Sequence, residues 1–390
     1  MTSLAGFRQT LTNSAGRALG PFFRPPRLAV GFQPSRILVV KLCCLGDVLM
    51  ATPALTLLRE TFPRARLDLA VGTWSRPAVR NNPNLNEILD VGQLGAGRYP
   101  WRDYLGLVRR LRWRGYDLAL VLERSIYTSL LPLLAGVPYR VGLDSEGRGF
   151  PFTTRIPCLP ARHEANLYLE AALAATKITK ASPRSLADLG QRRLEFYPSP
   201  DDAAVAQKML RGMGRPLVAI HPGGAVNPGG AMLSKRWLPE RFAAIANLLA
   251  DRYGAEVLLT GGASDADAVR GVQSRLRRPA RVLGCELTFS QLGAVLAACD
   301  LFLGNDTGPA HLAAAVGTRV VTIFGPTDPR VYGPYGGAGE AVWTEKACSP
   351  CFQRGGFPGC SHVDCLREVS VEAVWAAVKR QLALAGERHP

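Results

Sequence analysis

Residues 300–324 read DLFLGNDTGPAHLAAAVGTRVVTIF. An apolar run leads into a Gly-flanked turn, a short Ala-rich helix and a second apolar run. That order is strand, turn, helix, strand, the unit from which parallel sheets are built. Thr307 is placed to cap the helix, and Pro309 suits its first turn, where a missing N–H costs nothing. Such a helix start points amides and a partial positive charge outward, which suits a phosphate. Asp306 and His311 flank the same point. A helix that needed only a cap would not need a carboxylate, a hydroxyl, two glycines and an imidazole together. The turn therefore reads as a site for a phosphorylated ligand.

The same alternation extends to both sides. Strands are predicted at Leu217–Ile220, Glu256–Thr260, Asp300–Leu303 and Arg319–Phe324, with helices from Pro239, from Asp265 and over Val371–Leu384. In the first half, strands are predicted at Arg36–Leu42, Leu67–Gly72, Glu87–Val91, Asp117–Glu123 and Tyr139–Leu143. A helix starting at Asp47 carries Val48, Ala51, Leu55, Leu58 and Phe62 at helical spacing until Pro63 stops it. The polar stretch Thr179 to Arg193 reads as a linker. No fixed-period repeat is visible. The economical architecture is α/β, with two Rossmann-like domains and an interdomain cleft. The expected segments are a basic leader over 1–35, an N-terminal domain over 36–190 and a C-terminal domain over 191–368. A closing helix and tail follow over 369–390.

The chain has 390 residues, 47% of them hydrophobic, and a mean hydropathy of +0.05. No run of eighteen apolar residues suggests a spanning helix. The net charge of +16 is uneven: residues 1–190 hold 25 Lys and Arg against 13 acids, and residues 191–390 hold 22 against 18. The surplus lies in the half without the phosphate-favouring turn. It implies an acidic lipid, a phosphorylated sugar or nucleic acid there, or solubility alone. The leader carries Arg8, Arg17, Arg24 and Arg27 with Phe7, Leu11, Leu19, Phe22 and Phe23, and no acid. It reads as a disordered tail or as a segment lying on an anionic membrane surface. Trp74, Trp101 and Trp113 accompany Arg98, Arg102, Arg109, Arg110, Arg112 and Arg114. That region is either a solvated helix face or a seat for an anionic acceptor.

After the first predicted strand the chain reads KLCCLGD (41–47), not GxGxxG, which argues against a nicotinamide dinucleotide. Asp47 there is either a helix-capping carboxylate or a general base at the carboxyl edge of the sheet. The two roles pull apart, because a helix start steadies the carboxylate and so weakens it as a base. In HPGG (221–224), the amides of Gly223 and Gly224 offer an anion nest. In SKRW (234–237), Lys235 either supplies charge to a diphosphate or is simply solvated with Arg236. Two phosphate-favouring turns and a lysine in one half favour a nucleoside diphosphate. Of nine cysteines, Cys43, Cys44, Cys158, Cys285 and Cys299 read as reduced thiols. Cys348, Cys351, Cys360 and Cys365, with His362 among them, have spacing that either clamps a zinc or serves stability without metal. A nucleic-acid-binding protein with a zinc module is the distant alternative, since no RNA- or DNA-binding signature appears.

The set LGDVLMATPALTLLRE (45–60), HPGG (221–224), LSKRWLPERF (233–242), TGG (260–262), GNDTGPAHLAAAVGTRVVTIFGPTDP (304–329) and CSPCF (348–352) resembles glycosyltransferase family 9, the ADP-heptose:lipopolysaccharide heptosyltransferases. The resemblance runs from about Arg36 to about Leu384. It implies a GT-B fold and an inverting, metal-independent transfer of heptose from ADP-heptose to a lipopolysaccharide core or related lipid-linked glycan. Asp47 matches the base. Lys235 matches the residue holding the donor diphosphate, beside Gly223 and Gly224. Asp306, Thr307, Gly308 and His311 match the donor-binding turn, Leu287 an adenine-side position, and Arg140 a basic residue near the acceptor. No cofactor, no metal and no nucleic acid are expected. The expected partners are a nucleotide-sugar donor and an anionic lipid-linked acceptor, for a cytoplasmic monomer at the inner face of the bacterial inner membrane. One departure stands out: the loop Ala225 to Leu233 is longer than in many members, so another nucleotide sugar is the alternative donor.

Overall fold

The computed structural model describes residues 32–94, 99–178, 192–224, 226–227, 230–284, 286–337, 339–352, 360 and 362–386. The leader to residue 31, Arg98, residues 179–191 of the expected linker and Cys285 lie outside the described residues.

Two parallel six-stranded sheets carry the chain. The first holds β1 (Arg36–Val40), β2 (Arg66–Val71), β3 (Glu87–Asp90), β4 (Leu118–Val121), β5 (Tyr139–Asp144) and β6 (Thr154–Pro157), in the order β3-β2-β1-β4-β5-β6. β7 (Leu217–His221) opens the second sheet, and a small antiparallel hairpin, β8 (Val226–Asn227) with β9 (Gly230–Ala231), follows it. β10 (Glu256–Thr260), β11 (Arg281–Leu283), β12 (Leu301–Asn305), β13 (Arg319–Ile323) and β14 (Gly339–Val342) complete it in the order β11-β10-β7-β12-β13-β14. Each sheet starts at its third strand in order, runs back to its first, and continues through its fourth to sixth. The same topology thus occurs twice in a sequence that shows no repeat.

The central strands are apolar along their length because helices cover parallel sheets on both faces. β1 and β4 are buried from Ile37 and Leu118 onward, and β7 and β12 throughout. β6, β11 and β14 were not legible as strands. All three are edge strands of three or four residues with exposed or half-buried positions, so they carry no continuous apolar run.

The first predicted helix is two. It starts at Leu45, pauses at Ala51 and resumes over Thr52–Thr61. Pro53 explains the pause: it has no N–H for the carbonyl of Leu49 four residues back. The Thr52 hydroxyl donates to that carbonyl instead, at 2.7 Å.

The chain divides into two compact units, residues 1–76 with 82–190, and residues 77–81 with 191–390. Each has its own core: Leu38, Val40, Val121, Leu131 and Phe152 in the first, and Ile220, Trp237, Phe242, Leu259 and Ile323 in the second. The closing helix Val371–Gly386 sends Val374, Val378 and Leu382 into the second core. Among the described residues no helix is long and apolar enough to cross a membrane.

Candidate active site

In a sheet of this order the connections leave the first and fourth strands in opposite directions, opening a crevice at their carboxyl ends. The first unit fills that point with charge. Glu123, just past β4, accepts the Leu42 amide at 2.8 Å and the Cys43 amide at 3.3 Å. It also accepts the Lys41 ammonium at 3.2 Å, and Lys41 Nζ stands 3.4 Å from Asp47 Oδ2. Burial pulls the Lys41 pKa down, but Glu123, Asp47 and Glu164 outweigh it and the net shift is upward. Lys41 therefore stays a cation.

Asp47 is the third residue of helix Leu45–Met50, whose N-cap position belongs to Cys44 and has no side-chain cap. Its carboxylate pairs with Lys41 and remains 34% exposed. The Lys41 pair orients the carboxylate and leaves it accessible to solvent. The sulfurs of Cys43 and Cys44, expected there as reduced thiols, lie against each other in this turn.

The second unit uses the same place in the sheet differently. Asn305, the last residue of β12, donates through Nδ2 to the carbonyls of Pro222 and Gly223 at 2.9 and 3.1 Å. Its Oδ1 accepts the Trp237 amide at 2.9 Å, fixing the segment that carries Lys235. Asp265 accepts the amides of Gly224 and Gly262, each at 2.8 Å, and Arg236 Nη2 at 2.8 Å. Any side chain at Gly223 would overlap Asp265, and one at Gly224 (φ +87°) would meet Thr307. The two glycines thus serve close loop packing. The expected anion nest is corrected at Gly224, whose amide is already taken by a carboxylate. Buried His221 lies over Thr260 (Nδ1···Oγ1 3.1 Å), and burial lowers its pKa despite the opposing pull of Asp265.

Lys235 is not solvated. Its side chain is 12% exposed and Nζ stands 2.5 Å from Asp306 Oδ2, which also accepts the Thr327 hydroxyl at 2.6 Å. Arg236 is engaged too, donating to the Gly224 carbonyl at 3.0 Å. Helix Gly308–Ala315 begins at this pair, with Pro309 in its first turn. Thr307 holds the N-cap position without making a capping bond. Its hydroxyl donates to the Asn305 carbonyl instead, at 3.3 Å. The first amides of that helix are therefore not consumed by a side-chain cap. His311 is buried within the helix. Leu287 lies half-buried between β11 and helix Phe289–Ala297, at the carboxyl end of the same sheet.

A sequence profile of glycosyltransferase family 9 (heptosyltransferase) matches residues 104–360. The chain belongs to this family. Lipopolysaccharide heptosyltransferase 2 of Escherichia coli (strain K12) is 29% identical over 308 residues, 75% of this chain and 84% of its own length. Among solved structures, the glycosyl transferase family 9 protein from Veillonella parvula DSM 2008 matches with TM-score 0.74 at 24% identity, covering 93% of this chain and 100% of that one. The E. coli ADP-heptose lps heptosyltransferase II gives 0.68 at 24% identity, covering 90% and 99%. The fold is GT-B, and the protein is a glycosyltransferase.

In this family 9 enzyme, two of the arginines singled out in the sequence make internal contacts. Arg140 is buried, donating to the carbonyls of Pro151 (2.8 Å), Val137 (2.6 Å) and Pro138 (3.0 Å). Those bonds, made through Nε and Nη1, tie the start of β5 to the loop before β6. Arg114 likewise pairs with Glu87 at 2.6 and 2.7 Å. At the C-terminal cysteines, Cys360 lies 3.7 Å from His362 Nε2, while Cys365 is buried and Cys348 exposed. Among the described residues no three His, Cys, Asp or Glu side chains converge to hold a metal ion. Asn305, Asp265, Arg236, Glu123 and Thr327 were missed by sequence reading. Each acts on a loop distant in the chain, and only the topology reveals that.

Proposed function

We propose that this family 9 enzyme transfers heptose from ADP-heptose to a lipopolysaccharide core or related lipid-linked glycan, with inversion at the anomeric carbon. The observation that carries the reading is Lys235 held by Asp306 at the start of helix Gly308–Ala315. A compact cation and a helix N-terminus at one point suit a diphosphate. The donor reading is supported by the solved relative described as an ADP-heptose lps heptosyltransferase. The acceptor reading is supported by relatives named for lipopolysaccharide.

The chemistry then divides between the units. Asp47, oriented by Lys41, takes the proton of the acceptor hydroxyl. The oxygen forms its bond to the anomeric carbon as the bond to the diphosphate breaks, and ADP leaves with the electron pair. A single displacement inverts the configuration. Lys235 and the helix amides meet the growing negative charge of the leaving group, so the mechanism requires no metal ion. Asp306, Thr307, Gly308 and His311 form the donor turn, with Leu287 on the adenine side. The protein works at the cytoplasmic face of the membrane that holds its acceptor. Calorimetry with ADP, UDP and GDP, followed by transfer assays with ADP-heptose, tests the reading. A clear preference for UDP or GDP would replace the donor.

A further inference from the structure

Helix Trp101–Arg114 has two unlike faces. Leu107, Val108 and Leu111 turn inward to the first core, with Tyr104 packed against it. Outward, Trp101 is 66% exposed, Leu105 40% and Trp113 89%. With Arg109 these residues form a single row at four-residue spacing, side by side along the helix. Exposed Arg102 and Arg112 flank the row, and the Arg102 guanidinium lies 5.2 Å from the Trp101 ring centre. The helix has one acid, Asp103, beyond the row. Among the described residues no carboxylate pairs with Arg102, Arg109 or Arg112, whereas Arg110 donates to the Asp90 backbone carbonyl and Arg114 pairs with the Glu87 carboxylate. Tyr127, 49% exposed, stands beside the N-terminal half of the helix, where its carbonyl accepts the Tyr104 hydroxyl at 2.7 Å.

Large apolar rings left in water between unpaired guanidinium groups are what a bilayer boundary accommodates. Indole rings enter the headgroup layer with the N–H still wet, and arginines meet lipid phosphates. Over the twelve steps from Trp101 to Trp113 the row spans about 18 Å, longer than one phosphorylated headgroup, so it matches a surface. We propose that this face docks the protein on anionic phospholipid. Trp101, Leu105 and Trp113 enter the headgroup layer, and Arg102, Arg109 and Arg112 hold phosphates. The proposal deepens the lipid-linked acceptor reading and rests on it for its purpose.

The test uses the full chain and sucrose-loaded vesicles, with neither donor nor acceptor present. The protein should sediment with phosphatidylcholine vesicles containing phosphatidylglycerol, stay free of pure phosphatidylcholine, and be released by salt. Trp101→Ser with Trp113→Ser, and separately Arg109→Glu with Arg112→Glu, should each weaken binding about tenfold or more. Circular dichroism should remain that of the parent in both. Parent-like sedimentation of both double variants, no sedimentation of the parent, or capture of single-stranded RNA in place of vesicles overturns the proposal. ADP calorimetry on the same samples separates the two readings: docking without ADP binding removes the donor assignment alone.

Discussion

Lys235 Nζ stands 2.5 Å from an oxygen of Asp306, two residues ahead of helix Gly308–Ala315, and that oxygen is itself held by Thr327. The pair aims the lysine before any ligand arrives. A diphosphate then exchanges one anionic partner for another, which is less costly than stripping water from a free ammonium.

Lys235→Ala is expected to weaken ADP binding and to lower kcat/KM by about a hundredfold or more, because leaving-group charge grows in the transition state. Calorimetry and steady-state rates check both. If neither moves, the pair is structural.

Asp47→Asn keeps the size of the side chain and removes its proton affinity. Turnover should fall by about a hundred- to ten-thousand-fold, with ADP affinity within a few-fold of the parent. Retention of most of the activity would leave Asp47 as no more than a partner of Lys41.

Asn305→Ala strips the Trp237 amide and the Pro222 and Gly223 carbonyls of their partner at once. Buried groups left unpaired cost about 1–3 kcal/mol each. Denaturant melts should show a loss of about 3 kcal/mol or more, and ADP binding should weaken with it. A stability equal to the parent's contradicts this account of the loop.

His221 supplies a pH dependence of known sign. Burial lowers its pKa below the usual 6.5, so below that pH the unfolded chain takes the proton first. Its contribution is fully present above 6.5 and is lost as pH falls toward the folded value. The melting temperature of His221→Gln should therefore fall less on acidification than the parent's. Parallel decline of both proteins would assign the acid sensitivity to other groups.

Chelation should leave transfer intact. In the proposed mechanism Lys235 and the helix amides supply the charge, and the four C-terminal cysteines are expected to support stability rather than chemistry. Treatment with EDTA, followed by rate and circular dichroism measurements, decides the matter. Lost turnover in a chain that stays folded would put a metal into the reaction.

The motif-bearing ends of β1, β7 and β12 were legible because buried strands write continuous apolar runs and helix starts write Gly, Pro and small polar residues. What binds those ends together was not. Glu123 lies 82 residues from Lys41, and Asp265 lies 41 from Gly224, and nothing local marks either as a clamp. Arg140 shows the converse. Its strand position gave no sign of the backbone carbonyls that its Nε and Nη1 reach. Thr307 occupies the position of a cap but spends its hydroxyl elsewhere, a choice no spacing rule records.

The twin sheets, each with a separate core, have a consequence for how such an enzyme diversifies. The proposed proton acceptor is anchored in one core and the proposed diphosphate contacts in the other. Substitutions that retune one loop set leave the core beneath the other unchanged, since the two cores share no residue. Preference for the incoming alcohol can therefore drift under selection while recognition of the activated sugar stays constant. Chimaeras exchanging the halves of two relatives offer a way to read inheritance of each preference separately.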